Sequence, residues 1–158
     1  MVITGVGGGE YGIRGFVTAF DVKSGKTRWH TYAISSPGAR GNDPWEGDSW
    51  ETGGASTWLT GAFDPDLNLI YWGVGNPGPD RNGEVRKGDN LYSDCVLAMD
   101  ADTGKIKWHF QFTPHNVHDW DATQIPVLVD RKFRGKQHKL ILWGNRNAFC
   151  FRAGSAVR

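Results

Sequence analysis

The sequence has no apolar run approaching the ~18 residues that a membrane-crossing helix needs, so a helical anchor is excluded from these 158 residues. Cysteine is almost absent. Cys95 and Cys150 stand far apart, with neither CxxC nor Cys/His spacing, which excludes a thiolate metal site and favours two buried small hydrophobes over a disulfide. Net charge is nearly missing too: 18 Lys and Arg oppose 17 Asp and Glu, leaving +1. Nothing in that balance indicates nucleic acid or an acidic surface as partner. The opening MVITGVGGGE lacks a basic n-region and a long apolar h-region, so it does not read as a signal peptide.

What the sequence does have is 22 Gly and 8 Trp, with aromatics at 13%. Gly-rich turns between short apolar runs point to an all-β protein, and this much Trp points to a repeated structural use. The repeat is visible. Ala19-Phe-Asp21-Val-Lys-Ser24-Gly25-Lys26-Thr-Arg-Trp29 recurs as Ala98-Met-Asp100-Ala-Asp-Thr103-Gly104-Lys105-Ile-Lys-Trp108. Each copy reads as a hairpin: an apolar strand (Gly15–Phe20, Asp94–Met99), a turn capped by Asp with Gly at positive φ, and a second strand carrying Trp. Such units cannot bury their faces alone and must stack.

Between the copies, Thr57–Phe63 and Leu69–Gly73 read as strands joined by the turn Asp64-Pro65-Asp66. One repeat is then about four strands, the size of a propeller blade. Lys105–Phe112 and Ile125–Val129 continue the pattern, followed by a basic turn (Asp130–Gln137) and Lys139–Trp143. NRNAFCF opens a third inner hairpin, but the tail Arg152–Arg158 lacks the Asp, Gly-Lys and Trp expected there. The expectation is a partial propeller domain over residues 1–158, one complete blade and two partial ones, inactive alone. Two long polar stretches, Ser35–Gly54 and Asn76–Asn90, read as ordered functional loops, since long loops inside compact domains usually carry function.

The chemistry is densest in Thr113–Gln124, TPHNVHDWDATQ, which gathers Asp119, Asp121, His115, His118 and Trp120. If the segment is extended, Asp119 and Asp121 share a face. Two acids there repel each other unless a cation lies between them or one keeps its proton. From these residues alone, a solvated acidic loop anchored by Trp120 is the better account. Three further islands change that balance: GVGGGEYGIRG (Gly5–Gly15), GGASTW (Gly53–Trp58) and YWGVGNPGPD (Tyr71–Asp80).

With the Trp-bearing repeats, these islands in this order resemble the quinoprotein alcohol dehydrogenases of the methanol/ethanol dehydrogenase family, up to about Phe151. The resemblance implies an eight-bladed β-propeller with tryptophan-docking motifs, pyrroloquinoline quinone (PQQ), a metal ion and a periplasmic setting. It implies oxidation of a small primary alcohol to the aldehyde, with a cytochrome c or haem domain as electron acceptor. A homodimer of the full-length enzyme is among the assemblies it allows.

Residue by residue, the family's S-G-x-E motif falls on Gly7-Gly8-Gly9-Glu10. This makes Glu10 a metal ligand and brings Gly8 and Gly9 against the cofactor. Gly7 stands where the family has Ser, which bears on one hydrogen bond to the cofactor. Trp58 matches the indole floor under the PQQ ring. Asn76, in G-x-G-N-P, matches a metal-binding amide. Asp119 matches the acid that is both metal neighbour and catalytic base, and Arg146 the cation on the quinone oxygens. The acid at Asp121 matches the lanthanide-dependent members, calcium being the alternative ion. His115 and His118 are expected to pack or support, because imidazole suits a hard ion poorly. Trp29 and Trp108 are expected to lock blades together, while Trp45, Trp50 and Trp72 could pack or shape the pocket. The alternatives are a PQQ-dependent sugar or polyol dehydrogenase, and a non-catalytic propeller scaffold that shares the docking repeats.

Overall fold

In the computed structural model, the described residues are 1–41, 45–133 and 135–154. Asn42–Pro44 of the first long loop, Arg134 of the basic turn and Ser155–Arg158 of the tail lie outside them. The described residues form ten strands and three single 3-10 turns (Gly9–Tyr11, Ser49–Thr52, Gly83–Val85), with no α-helix among them. The strands are β1 (Val2–Thr4), β2 (Phe16–Phe20), β3 (Thr27–Tyr32), β4 (Ala62–Asp64), β5 (Leu69–Gly73), β6 (Cys95–Asp100), β7 (Ile106–Gln111), β8 (Val127–Phe133), β9 (Lys136–Gly144) and β10 (Cys150–Gly154). They make a three-stranded sheet β1-β2-β3, a four-stranded sheet β4-β5-β6-β7 and a three-stranded sheet β10-β9-β8. All pairings are antiparallel. This is the all-β, propeller-type architecture expected.

The central sheet explains the apolar run Cys95–Met99, which sits on β6 with both faces covered. Because side chains alternate across a strand, Cys95, Leu97 and Met99 join Val17, Trp29, Ile34 and Trp72 on one side. Val96 and Ala98 join Tyr71, Ile141 and Trp143 on the other. Cys95 is buried as expected, but Cys150 is exposed, on β10, which is an edge strand of its sheet among the described residues.

Both copies of the repeat fold alike. Asp21 Oδ1 accepts the Lys23 and Ser24 N–H groups and the Ser24 hydroxyl. Asp100 Oδ1 accepts the Asp102 and Thr103 N–H groups and the Thr103 hydroxyl. Gly25 and Gly104 both take φ near +70°, a conformation that costs other residues energy. The first indole docks on the second turn: Trp29 Nε1 donates to Ala101 O at 3.0 Å, and Thr31 Oγ1 donates to Gly104 O at 2.8 Å. A Cβ on Gly104 would stand 2.5 Å from the Trp29 ring, so glycine there permits the contact. Trp108 packs on Tyr71 at 5.9 Å between centroids, and its buried N–H has no partner among the described residues.

Two expected boundaries move. Of Thr57–Phe63, only Ala62 and Phe63 are strand; β4 runs one residue further, and Asp64 still opens the expected turn, its Oδ1 accepting the Asp66 and Leu67 N–H groups at 3.0 and 3.2 Å. Thr57 is held elsewhere: its N–H donates to Val6 O, and its carbonyl accepts the Trp72 indole N–H. The basic turn is mostly strand, since β8 and β9 pair from Val127↔Leu142 to Phe133↔Lys136. Its charges ride on a hairpin rather than a loop. Trp45 and Trp72 are buried, and Trp50 packs at the core edge with its ring 4.7 Å from the Arg14 guanidinium, so packing accounts for all three.

Candidate active site

In a stack of antiparallel strands, every second connection falls at the same end. The four sequence islands occupy the connections β1–β2, β3–β4, β5–β6 and β7–β8, and the structure knits them together there. Gly15 N–H donates to Gly54 O, Thr57 N–H to Val6 O, Ala55 N–H to Asn76 O, Gly75 N–H to Ser56 O and Gly78 N–H to Gly53 O. Val74 bridges Ala122. The backbones approach closely enough that glycine is required: a Cβ on Gly15 would fall 1.8 Å from Ala55 O, and one on Gly5 1.8 Å from Thr57 O.

On this layer sit the acids. Asn76 is the hinge between them. Its backbone N–H donates to Asp121 Oδ1 at 3.0 Å, and its Oδ1 accepts the Asp121 N–H at 2.9 Å. Its Nδ2 donates to Asp119 Oδ1 at 3.0 Å. Arg146, from the β9–β10 connection, reaches Asp121 Oδ2 at 3.4 Å. Gln124 braces the loop, donating to Asp121 O and accepting from the Trp143 indole of β9. Gly75 is part of the cradle, because a Cβ there would meet Asp121 Oδ1 at 2.5 Å and Ser56 Oγ at 2.7 Å.

The acids are brought together, though not by an extended strand. Asp119 adopts φ +58°, the left-handed region, so the simple alternation expected of Asp119 and Asp121 does not hold. A shared partner, Asn76, gathers them instead. The Asp121 side chain is 13% exposed. Burial raises its pKa, the Asn76 N–H opposes that, and the charges of Asp119 and Glu10 raise it further while Arg146 lowers it. Glu10 therefore acts on the same centre from the 3-10 turn Gly9–Tyr11. Trp58 leaves 53% of its surface exposed beside the side-chain-free Gly7. His115 and His118 take supporting roles: His115 Nδ1 bonds Gly88 O, and His118 stacks on Trp120 at 4.6 Å.

The donor set is all oxygen, which suits a hard cation. Among the described residues no three Asp, Glu, His or Cys groups alone enclose a metal ion. The Asn76 oxygen and oxygens from outside the chain would have to complete such a site. The residues fit that requirement: half-buried Asp121 lies under like charge from Asp119 and Glu10, and an ion would relieve that repulsion.

Sequence reading missed the layer behind these acids. Asp94, fully buried at φ +49°, has no hydrogen bond to either carboxyl oxygen. The Asn116 amide and Ala122 N–H lie near enough to favour its ionised form without closing a bond. Burial outweighs them, and with Asp121's charge it pushes the Asp94 pKa up to about 8. Arg86, also fully buried, lies beside it. Because the folded pKa is raised, the native state holds an extra proton between about pH 4 and pH 8. The contribution of Asp94 to stability is therefore fully present below pH 4 and falls by up to about 1.4 kcal/mol per pH unit as pH rises through that window. Asp94→Asn in metal-stripped full-length protein is expected to gain stability relative to the parent between pH 5 and pH 8. Thermal melts across that range check this, and a pH-independent difference between the two proteins would contradict it.

Residues 4–152 match the PQQ glucose/ethanol/alcohol dehydrogenase β-propeller domain. The chain is 40% identical to the lanthanide-dependent methanol dehydrogenase of Methylorubrum extorquens, over 94% of this chain and 28% of that protein. It is 42% identical to the quinohemoprotein alcohol dehydrogenase of Comamonas testosteroni, over 95% of this chain and 23% of that one. Its fold superposes on a europium-containing methanol dehydrogenase with a TM-score of 0.90 at 34% identity, covering 97% of this chain and 30% of that one. The chain thus spans about a quarter of the length of the relatives it matches.

Proposed function

The chain belongs to the PQQ glucose/ethanol/alcohol dehydrogenase β-propeller domain family, and from that membership we propose that the full-length protein oxidises small primary alcohols to aldehydes. The observation that carries this is the grouping of Asp119, Asp121 and Arg146 around Asn76, above a layer of close-packed glycine backbone. PQQ, when bound, supplies the hydride acceptor, and a lanthanide ion supplies Lewis acidity. Glu10, Asn76, Asp119 and Asp121 would hold the ion. Gly8, Gly9, Trp58 and Arg146 would hold the quinone.

Within that site each residue has a task set by its contacts. Asp119 Oδ1 is occupied by the Asn76 amide, which leaves Oδ2 to take the hydroxyl proton of the alcohol. Asn76 fixes the carboxylate plane, so the base does not have to be oriented as the proton moves. Arg146 spends one edge of its fork on Asp121, and its remaining N–H groups can stabilise negative charge nearby. Trp58 offers an exposed indole as a flat stacking surface.

Electrons would leave to a cytochrome c or a fused haem domain, the second arrangement being supported by a relative named as a quinohemoprotein. The proposed setting is periplasmic, and a homodimer is the proposed assembly. The test is reconstitution of the full-length protein, stripped of metal, with PQQ and lanthanum(III), followed by an artificial electron acceptor and methanol or ethanol. Aldehyde formation that needs both additions is expected. Oxidation of glucose in preference to either alcohol would overturn the primary-alcohol reading.

A further inference from the structure

The Asn76–Asn90 stretch buries a cation with no acid bonded to it. Arg86 is 0% exposed, and its guanidinium donates to polar groups from separate parts of two loops. Nε donates to Pro79 O at 3.1 Å, Nη1 to Asn90 Oδ1 at 2.8 Å, and Nη2 both to Asp80 O at 2.9 Å and to Asn116 O at 2.7 Å. Asn90 Nδ2 donates back to Arg86 O at 2.7 Å, closing a ring around the side chain. Among the described residues no carboxylate makes an ion pair with Arg86.

A buried guanidinium is costly unless its donors are used. Here the planar five-donor fork does what lysine, a single ammonium point, cannot: it satisfies acceptors lying in different directions. The acceptors matter by position. Pro79 and Asp80 follow Asn76 in the β5–β6 connection, and Asn116 precedes Asp119 in the β7–β8 connection. Asn116 in turn accepts the His118 N–H on Oδ1 at 2.8 Å, which carries the chain into the left-handed turn at Asp119.

We propose that Arg86 is the positioning residue of this site, clamping the loop that carries Asn76 to the loop that carries Asp119 and Asp121. The proposal rests on the reading of those residues as a metal and proton-transfer site. Arg86 touches neither acid. It sets the separation across which Asn76 holds them, so its loss changes the geometry offered to a cation before it changes the rest of the fold. The docking contact of Trp29 on Ala101 lies at the opposite end of the strands, and the clamp does not act on it.

The experiment uses the full-length protein loaded with PQQ and stripped of metal, titrated with lanthanum(III) by calorimetry, beside thermal melts of the stripped form. Arg86→Lys keeps the charge and loses the fork, and its lanthanum affinity is expected to fall at least about tenfold, the scale found when groups behind metal ligands are removed. Trp29→Phe, which gives up the docking bond, is the stability control: its melting temperature falls while its affinity stays within about twofold of the parent. If Arg86→Lys does not fold, Asn90→Gly serves instead. Glycine suits φ +57° at that position, and it removes one acceptor of the fork, for an expected loss of about threefold. Parental affinity in the Arg86 or Asn90 variant overturns the proposal. So does a loss of affinity in Trp29→Phe in step with its melting temperature, since instability alone would then explain both. A parent that binds no lanthanum removes the site reading itself, and the parental titration separates that outcome from a failure of Arg86.

Discussion

Asp119→Asn in the full-length protein is expected to lower alcohol oxidation by about 10³-fold or more, within the range that a positioned general base contributes, while the melting temperature stays within a few degrees of the parent. The substitution is selective because of where Asp119 sits. Its φ of +58° is left-handed, a region that Asn tolerates nearly as well as Asp and most other residues do not. An alanine there would confound chemistry with backbone strain. Asn keeps an oxygen for the Asn76 Nδ2 donor, now 3.0 Å from Asp119 Oδ1. The other terminal atom becomes an NH₂ group, which cannot take a proton. One negative charge also leaves the site, so turnover must be read at saturating metal. Near-parental turnover under those conditions would show that the proton goes elsewhere and that Asp119 is not the base.

Much of this architecture was legible because it depends on short-range rules. The Asp-to-Gly turn is the same local solution twice, and each is followed at the same offset by a Trp, the first of which docks on the turn of the next copy. The run Cys95–Met99 is uninterrupted because its strand has a sheet on each side. The four islands were legible as glycine where backbones must approach, as at Gly5 and Gly15 against the Thr57 and Ala55 carbonyls. What stayed hidden depends on contacts between distant segments. Thr57–Gly61 has the residues of a strand, yet Thr57 is tied to Val6 and Trp72, and those bonds take precedence over its propensity. Asp119 and Asp121 were expected to share a face by alternation, whereas Asn76 gathers them from another loop. Arg86 lies in RKGDN, at the end of the stretch expected to be an ordered functional loop, but no periodicity announces that one of its charges is wholly buried. The signal was there only as Asn and Gly crowded beside the arginine, the residue types that let a loop turn inward and bond to itself.

Asp121→Ala is expected to shift the metal preference of the full-length protein from a light lanthanide toward calcium. The argument is one of charge. Glu10, Asp119 and Asp121 would put about three negative charges around one ion, before any carboxylate from PQQ. Asp121 shows the strain: burial and its acidic neighbours raise its pKa. A divalent ion leaves that cluster under-neutralised, which favours a proton on one carboxylate and competes with the base. A trivalent ion of similar radius compensates the extra charge and is the stronger Lewis acid. Removing Asp121 also frees Arg146, now 3.4 Å from its Oδ2, so the variant loses the acid and leaves a cation free to move toward the quinone. Calcium then meets a site of lower negative charge, while a lanthanide loses an oxygen ligand it needs. The measurement is the ratio of alcohol oxidation rates with lanthanum and with calcium, for parent and variant reconstituted with PQQ. The parent should run with lanthanum and little with calcium, and the variant's ratio should fall by about tenfold or more, one lost charge-bearing ligand being worth about 1.4 kcal/mol or above in this setting. Equal rates in the parent, or a ratio that Asp121→Ala leaves unchanged, would set the trivalent reading aside while leaving the alcohol dehydrogenase assignment intact.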